Sequence, residues 1–279
     1  MIYANNNLAI TNHSVMSKPT FQVASDLHLE FIDEDAATFD FDSILTPSSD
    51  ILALPGDIGG PFASTCPLFQ PFLAWCSANW KYVLFVPGNH CYYTNKGLCI
   101  DDVDAILAHI CETFHNVYYL NNRVMDIMGE RFIGTTLRSY VPDSVANDVA
   151  DIINDYRLIY QAPGQLLTIQ HNNALFKKNE EFLLAAILDA ASIGIHPVVI
   201  THNTPVRKGT SHPRFNNSVS NYAFSTDILC PPDIVKLWCC GHTHYNFDFQ
   251  TPSFRLISNQ MGYSPDIEPG YVKDWCIPL

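Results

Sequence analysis

Gly241-His242-Thr243-His244 follows directly on the apolar run Leu237-Trp238-Cys239-Cys240, and the rest of the chain is best read outward from it. On an extended segment, side chains at i and i+2 point to the same side. Two imidazoles placed so at the tip of a buried strand are positioned to hold a metal ion. One such pair is a weak signal, but other short motifs upstream end apolar runs in the same way. Phe21-Gln22-Val23-Ala24-Ser25 reads as a strand delivering Asp26-Leu27-His28, again with i, i+2 spacing. Ile51-Leu52-Ala53-Leu54 is stopped by Pro55-Gly56 and followed by Asp57. Tyr82–Val86 is broken by Pro87-Gly88 and leads into Asn89-His90, and Val198–Thr201 runs into His202.

Helical spacing separates several of these strands. Phe69, Phe72, Leu73 and Cys76 predict a helix over 67–79. Val103, Ile106, Leu107, Ile110 and Phe114 predict another over 101–114, with Asp101 and Asp102 at its start. Val149, Ile152, Ile153, Tyr156 and Tyr160 mark a third. Phe182, Leu183, Ala186, Ile187 and Ala190 mark a fourth, closed by Gly194. Segments 117–120, 124–128 and 132–135 read as short antiparallel strands with turns at Asn121-Asn122 and Gly129-Glu130. Residues 203–233, rich in Pro, Asn and Ser, form a long loop, and 254–258 is a late strand. No repeat or linker divides the chain, so 1–19 is read as an N-terminal tail and 20–279 as a single domain.

Strands alternating with helices imply a largely parallel, buried sheet. In such sheets the carboxyl ends of the strands form the binding crevice. The motifs would meet there, bringing two carboxylates, one amide and four imidazoles together, besides His90. Unpaired, the carboxylates would repel one another and lose hydration at high cost, so the cluster makes sense around cations. Taken singly, each motif has a plainer reading: a histidine in a Gly-flanked turn can be a loop residue, and Asp26 or Asp57 could cap a helix.

Composition bounds the partners. The 279 residues carry a net charge of −13, which argues against stable nucleic-acid binding or attraction to an anionic membrane. Nine scattered cysteines, several inside apolar runs and none in a Cys-x-x-Cys pattern, fit reduced core residues. The first twenty residues lack the apolar core of a signal peptide, and no stretch is apolar enough to span a bilayer. A cytoplasmic location is therefore expected.

The ordered set Asp26-Leu27-His28, Gly56-Asp57, Gly88-Asn89-His90, His202 and Gly241-His242-Thr243-His244 resembles the calcineurin-like metallophosphoesterases. The flanking text Ser25-Asp26-Leu27-His28-Leu29-Glu30 and Ser258-Asn259-Gln260-Met261-Gly262-Tyr263 looks like their small cytosolic members. The resemblance runs from about residue 21 to 263 and implies an α/β fold of two mixed β-sheets packed as a sandwich and flanked by helices. It also implies a ligand set: Asp26, His28 and His244 for one metal, Asn89, His202 and His242 for a second, and Asp57 between them. A carboxylate bridge can hold two cations ~3.5–4 Å apart, and a hydroxide shared between them is a nucleophile at neutral pH. In-line attack on a phosphoric mono- or diester would follow. His90, left unligated, would then serve as the catalytic residue that gives a hydrogen bond to the phosphate or a proton to the leaving group.

The ligand types suit Mn, Fe, Zn or Co without choosing among them. A small phosphate ester or nucleotide is the expected substrate. Arg138, Arg207 and His212 are the residues expected to reach it, the last two in a basic stretch with Lys208 and Arg214. Tyr92, Tyr93 and Tyr222 could stack on a base or aryl group, or pack in the core. Many relatives carry an acid after Gly-Asn-His where this chain has Cys91, which leaves the orientation of His90 open. The alternative function is a non-catalytic scaffold that keeps the fold and its metals.

Overall fold

In the computed structural model, residues 19–62, 64–94, 97–263 and 270–279 are described; the tail expected at 1–19 falls almost wholly outside them. Thirteen strands occur among them: β1 (Thr20–Val23), β2 (Ile51–Pro55), β3 (Tyr82–Val86), β4 (Val117–Tyr119), β5 (Arg123–Ile127), β6 (Glu130–Thr135), β7 (Tyr160–Ala162), β8 (Gln165–Leu166), β9 (Val198–Thr201), β10 (Leu237–Cys239), β11 (Phe247–Gln250), β12 (Arg255–Ser258) and β13 (Cys276–Pro278). The helices are α1 (Phe69–Asn79), α2 (Ile100–Glu112), α3 (Ala146–Ile152), α4 (Asp155–Leu158), α5 (Ile169–Ser192) and α6 (Asn221–Phe224).

The central strands are apolar throughout because both of their faces are covered. On β2, Ile51 and Ala53 point into one core and Leu52 and Leu54 into another. On β10, Leu237 and Cys239 share the first core while Trp238 and, one residue past the strand, Cys240 face a third. The first core lies between two sheets. The other two lie outside them, under α1 and α2 on one side and α5 on the other. Each fully buried side chain of this kind contributes about 2 kcal/mol of apolar burial.

One sheet has the order β13-β1-β2-β3-β4 and the second β11-β12-β10-β9-β6-β5. Both are parallel at the centre and carry antiparallel edge strands, β13 in the first and β11 and β5 in the second. This is the expected pair of mixed sheets flanked by helices.

Some local expectations need correction. β4 runs parallel to β3 in the first sheet instead of pairing with β5. β5 and β6 do form a hairpin, turned by Met128 and Gly129, both with positive φ. The helix expected over 149–160 is two short ones, α3 and α4, because the backbone is extended at Ile153. The fourth helix starts at Ile169, since its first half turns Asn172 and Asn179 inward and hides the apolar period. Asn172 donates to Ser139 O (2.8 Å) and Asn179 to Asn122 Oδ1 (3.0 Å), so these inward amides are satisfied. Gly194, at φ +75, closes α5 as expected, its N–H bonding Ala191 O at 3.0 Å. The 203–233 loop is irregular apart from a 3-10 turn at Pro213–Phe215 and the single turn of α6.

Candidate metal centre

The ends of β1, β2 and β3 in one sheet and of β9 and β10 in the other open at the same edge of the sandwich. There the chain leaves each strand abruptly. Asp26 (φ 53), His28 (φ 46), Asp57 (φ 50), His242 (φ 73) and His244 (φ 50) all adopt the left-handed region. Such a conformation costs about 1 kcal/mol or more per non-glycine residue and persists only where neighbours over-determine it. Here backbone bonds do so: Asp26 N to Gly56 O, His28 N to Asp57 O and Gly241 N to His202 O, each 2.9–3.0 Å.

Two glycines let these turns approach one another. A Cβ on Gly88 would overlap the Asp57 carboxylate and backbone nitrogen, and one on Gly241 would overlap the Asp26 carboxylate. Gly88→Ala is therefore expected to lower stability by about 2 kcal/mol or more, since overpacking against backbone has no cheap relief. Urea titration of the purified variant would show a lower midpoint, and a midpoint equal to the wild type's would contradict the close approach.

Seven side chains converge at this edge. One ligand atom each from Asp26, His28 and His244 lies within 4.8 Å of the others, and the same holds for Asp57, His202 and His242. In the first group His28 Nε2 is 2.9 Å from His244 Nε2, which is 3.4 Å from Asp26 Oδ1. In the second, His202 Nε2 is 2.9 Å from Asn89 Oδ1 and 3.3 Å from Asp57 Oδ2. Asp57 Oδ2 also lies 4.0 Å from His28 Nε2, so this carboxylate faces both groups.

The donors fit cations. His202 Nδ1 is 2.9 Å from Pro55 O, which can only accept, so Nδ1 carries a proton. In the neutral ring, Nε2 then presents a lone pair to two further acceptors, Asn89 Oδ1 and Asp57 Oδ2. Three acceptors with no proton among them require a positive charge, either a metal ion or an imidazolium. Burial disfavours the imidazolium, but Asp57 and Asp26 outweigh it and raise the affinity of His202 for a proton. His242 goes the other way: burial and His202 push it well below its usual range, leaving a neutral imidazole. Burial would raise the Asp57 carboxyl, yet His202 and His90 hold it well below the ordinary carboxylate range.

Residues behind this set orient it, and two of them escaped the sequence reading. Asp155 Oδ1 accepts from Asn89 Nδ2 (2.9 Å) and Tyr93 OH (2.6 Å), which turns Asn89 Oδ1 toward His202. Arg138 Nη1 donates to Asp155 Oδ2 at 3.0 Å. Nothing in the sequence around Asp155 distinguishes it from a solvent-facing acid on a helix. Glu30 Oε1 lies 3.0 Å from His28 Nδ1 and 2.9 Å from His90 Nδ1. Its signal was visible, since Asp26, His28 and Glu30 continue one i, i+2 alternation.

His90 stands beside the two groups. Its backbone N–H donates to Asp57 Oδ1 (2.9 Å), and its ring lines a cleft of about 360 Å³ together with Asp57, Asn89, His242 and His244. Burial lowers its proton affinity, but Asp57 and Glu30 outweigh that and push it up to about 9. Glu30 thus supplies the carboxylate beside His90 that Cys91 cannot. Cys91 itself is buried, donates to Gly59 O at 3.3 Å, and has a thiol pushed well above its usual range by burial.

The three residues expected at the substrate are placed differently from one another. His212 lines the cleft, joined there by Arg214. Arg138 lines no described cavity; it is 5% exposed and held behind the cleft by Asp155. Arg207 lies over the Tyr222 ring, 4.1 Å from its centroid, and lines a separate cavity. Tyr93 lines the cleft, whereas Tyr92 is core. No described helix is long and apolar enough to cross a membrane.

Two layers of mixed sheet with a metal-ready cluster at their shared edge define a class, and the chain's sequence agrees. Residues 19–246 match the family model of the calcineurin-like phosphoesterases, and the chain belongs to that family, whose members are phosphoester hydrolases using divalent metal ions. It is similar to the uncharacterized protein L509 of Acanthamoeba polyphaga mimivirus, 36% identical over 258 residues, covering 86% of this chain and 90% of that one. Its fold is similar to the crystal structure of the phosphopantetheinyl hydrolase PptH from Mycobacterium tuberculosis, with a TM-score of 0.67 at 17% identity, covering 94% and 96% of the two chains.

Proposed function

We propose that this protein hydrolyses phosphoric esters at a two-metal centre in this cleft. Asp26, His28 and His244 would hold one ion, and Asn89, His202 and His242 the other, with Asp57 shared. The observation that carries the reading is the facing of Asp57 Oδ2 toward both His28 Nε2 and His202 Nε2, each ring anchored through its other nitrogen. When bound, two divalent cations supply Lewis acidity toward the phosphoryl oxygens and a nucleophile available at neutral pH.

The chain's own residues do the rest. Asn89, turned by Asp155, presents only its oxygen to the centre. His90, with Nδ1 held by Glu30, sets its Nε2 3.3 Å from Tyr263 OH in the cleft lining, where a proton on it would be given to a phosphate oxygen or the leaving oxygen. Arg214 puts a positive charge on the cleft lining, its backbone N–H donating to His212 Nδ1 (3.2 Å), and so counters the repulsion that a chain of net charge −13 exerts on an anionic substrate.

Protein purified without chelators is expected to hold two equivalents of transition metal and, with added Mn²⁺, to hydrolyse bis-p-nitrophenyl phosphate or p-nitrophenyl phosphate. Two bound metals with no turnover of any ester would leave the scaffold reading standing instead. Asp155→Ala is expected to weaken uptake of one of the two ions by about 10–100-fold, the usual loss when a residue orienting a ligand is removed. Competition against a graded chelator would measure it; an unchanged affinity for both ions would show that Asn89 needs no such support.

A further inference from the structure

One further cavity adjoins the cleft, and a third adjoins that one. An apolar one of about 170 Å³ is walled by Ile152, Ile153, Phe215 and Phe224, all of which also line the cleft. Beyond it, sharing Ser211 and Asn221, lies an outer cavity of about 690 Å³ that carries Arg207 and Lys208. The three form one trench running from the metal centre, past an apolar waist, to a basic end.

The outer end is basic in a chain whose acidic residues outnumber basic ones 28 to 15. Among the described residues Lys81, Arg131, Arg138, Lys177, Lys236 and Arg255 are each paired with a carboxylate, and Arg207 and Lys208 are two adjacent cations of those that are not, although Asp227 is at hand. Its carboxylate accepts from the Arg207 backbone N–H (2.8 Å) while the guanidinium turns away onto Tyr222. Ser211, 6% exposed and lining both outer cavities, has a hydroxyl with no hydrogen-bond partner among the described residues. Unpaired cations and an unsatisfied buried hydroxyl on one wall are what an absent anionic group would satisfy.

We propose that the trench binds one extended substrate: a phosphoric ester at the metal centre, an apolar middle at the waist, and a second anionic group held by Arg207 and Lys208. This rests on the hydrolase reading above and adds a substrate class to it. The apolar waist disfavours a continuous polyanion such as a nucleic-acid strand, which would have to pass charged phosphates between Ile153 and Phe215.

The test uses metal-loaded protein and compares release of phosphate from octyl phosphate with that from the bisphosphate of a straight eight-carbon diol. The bisphosphate is expected to have about tenfold higher kcat/KM at low ionic strength, with the preference shrinking in high salt. The bisphosphate of a two-carbon diol, too short to span the waist, is expected to show no more than the statistical factor of about two over ethyl phosphate. Arg207→Glu combined with Lys208→Glu is expected to invert the eight-carbon ratio. A wild-type ratio no larger than the statistical factor of about two for two equivalent ends would overturn the second anion site while leaving the hydrolase intact. No hydrolysis of any of these esters, nor of the nitrophenyl esters, would overturn the hydrolase reading and this proposal with it.

Discussion

Replacing Asp57 by asparagine is expected to lower kcat/KM at least about a thousandfold, the rate equivalent of losing some 4 kcal/mol of Lewis-acid stabilisation. The carboxylate is 2% exposed and faces histidines of both groups, so no neighbour can take its place. Asparagine keeps the volume and can still accept from the His90 N–H, so the fold should survive. What disappears is the negative charge that would join two cations. The check is elemental analysis beside kinetics: the variant is expected to retain fewer than two metals while its circular dichroism matches the wild type. A variant that keeps both metals and near-normal turnover would exclude Asp57 as the shared ligand.

His90→Gln is expected to split substrates by leaving group. General-acid assistance contributes about 10²–10⁴-fold when the departing oxygen is a poor leaving group. An alkyl phosphate should therefore lose roughly a thousandfold in kcat, and a p-nitrophenyl ester, whose anion leaves without a proton, far less. Equal losses on both would mean that His90 binds phosphate and does not protonate. Glu30→Gln probes the same proton from the other side of the ring. It retains an oxygen where both histidines meet Oε1 but removes one of the charges, after that of Asp57, that raise His90, so the alkyl ester should again suffer more than the aryl one.

The residues proposed to hold metal were legible because each follows an apolar run, and the punctuation of Pro55-Gly56 and Pro87-Gly88 marks two of those stops. The two-sheet architecture was legible only through the resemblance. Nothing in 117–119 announces that β4 pairs with β3 in one sheet, while β5, four residues further on, belongs to the other. Pairing partners are chosen by which core a strand's faces can share, and short strands such as β7, β8, β11 and β13 carry too few residues to show a period. Asn172 and Asn179 concealed half of α5 for a related reason: a satisfied buried amide does the work of an apolar residue without its signature. Arg138 looked reachable by substrate because sequence does not reveal that Asp155 comes to lie beside it. Glu30 was the one supporting residue within reach, since it shares the alternation of Asp26 and His28.

Asp26, Asp57 and Asn89 hang from one sheet, and His202, His242 and His244 from the other. Any ion gripped by this set is therefore a rivet through both layers as well as a reagent. Stripping it out should loosen the whole seam, with amide protons along β2 and β9 exchanging faster in chelated protein than in loaded protein.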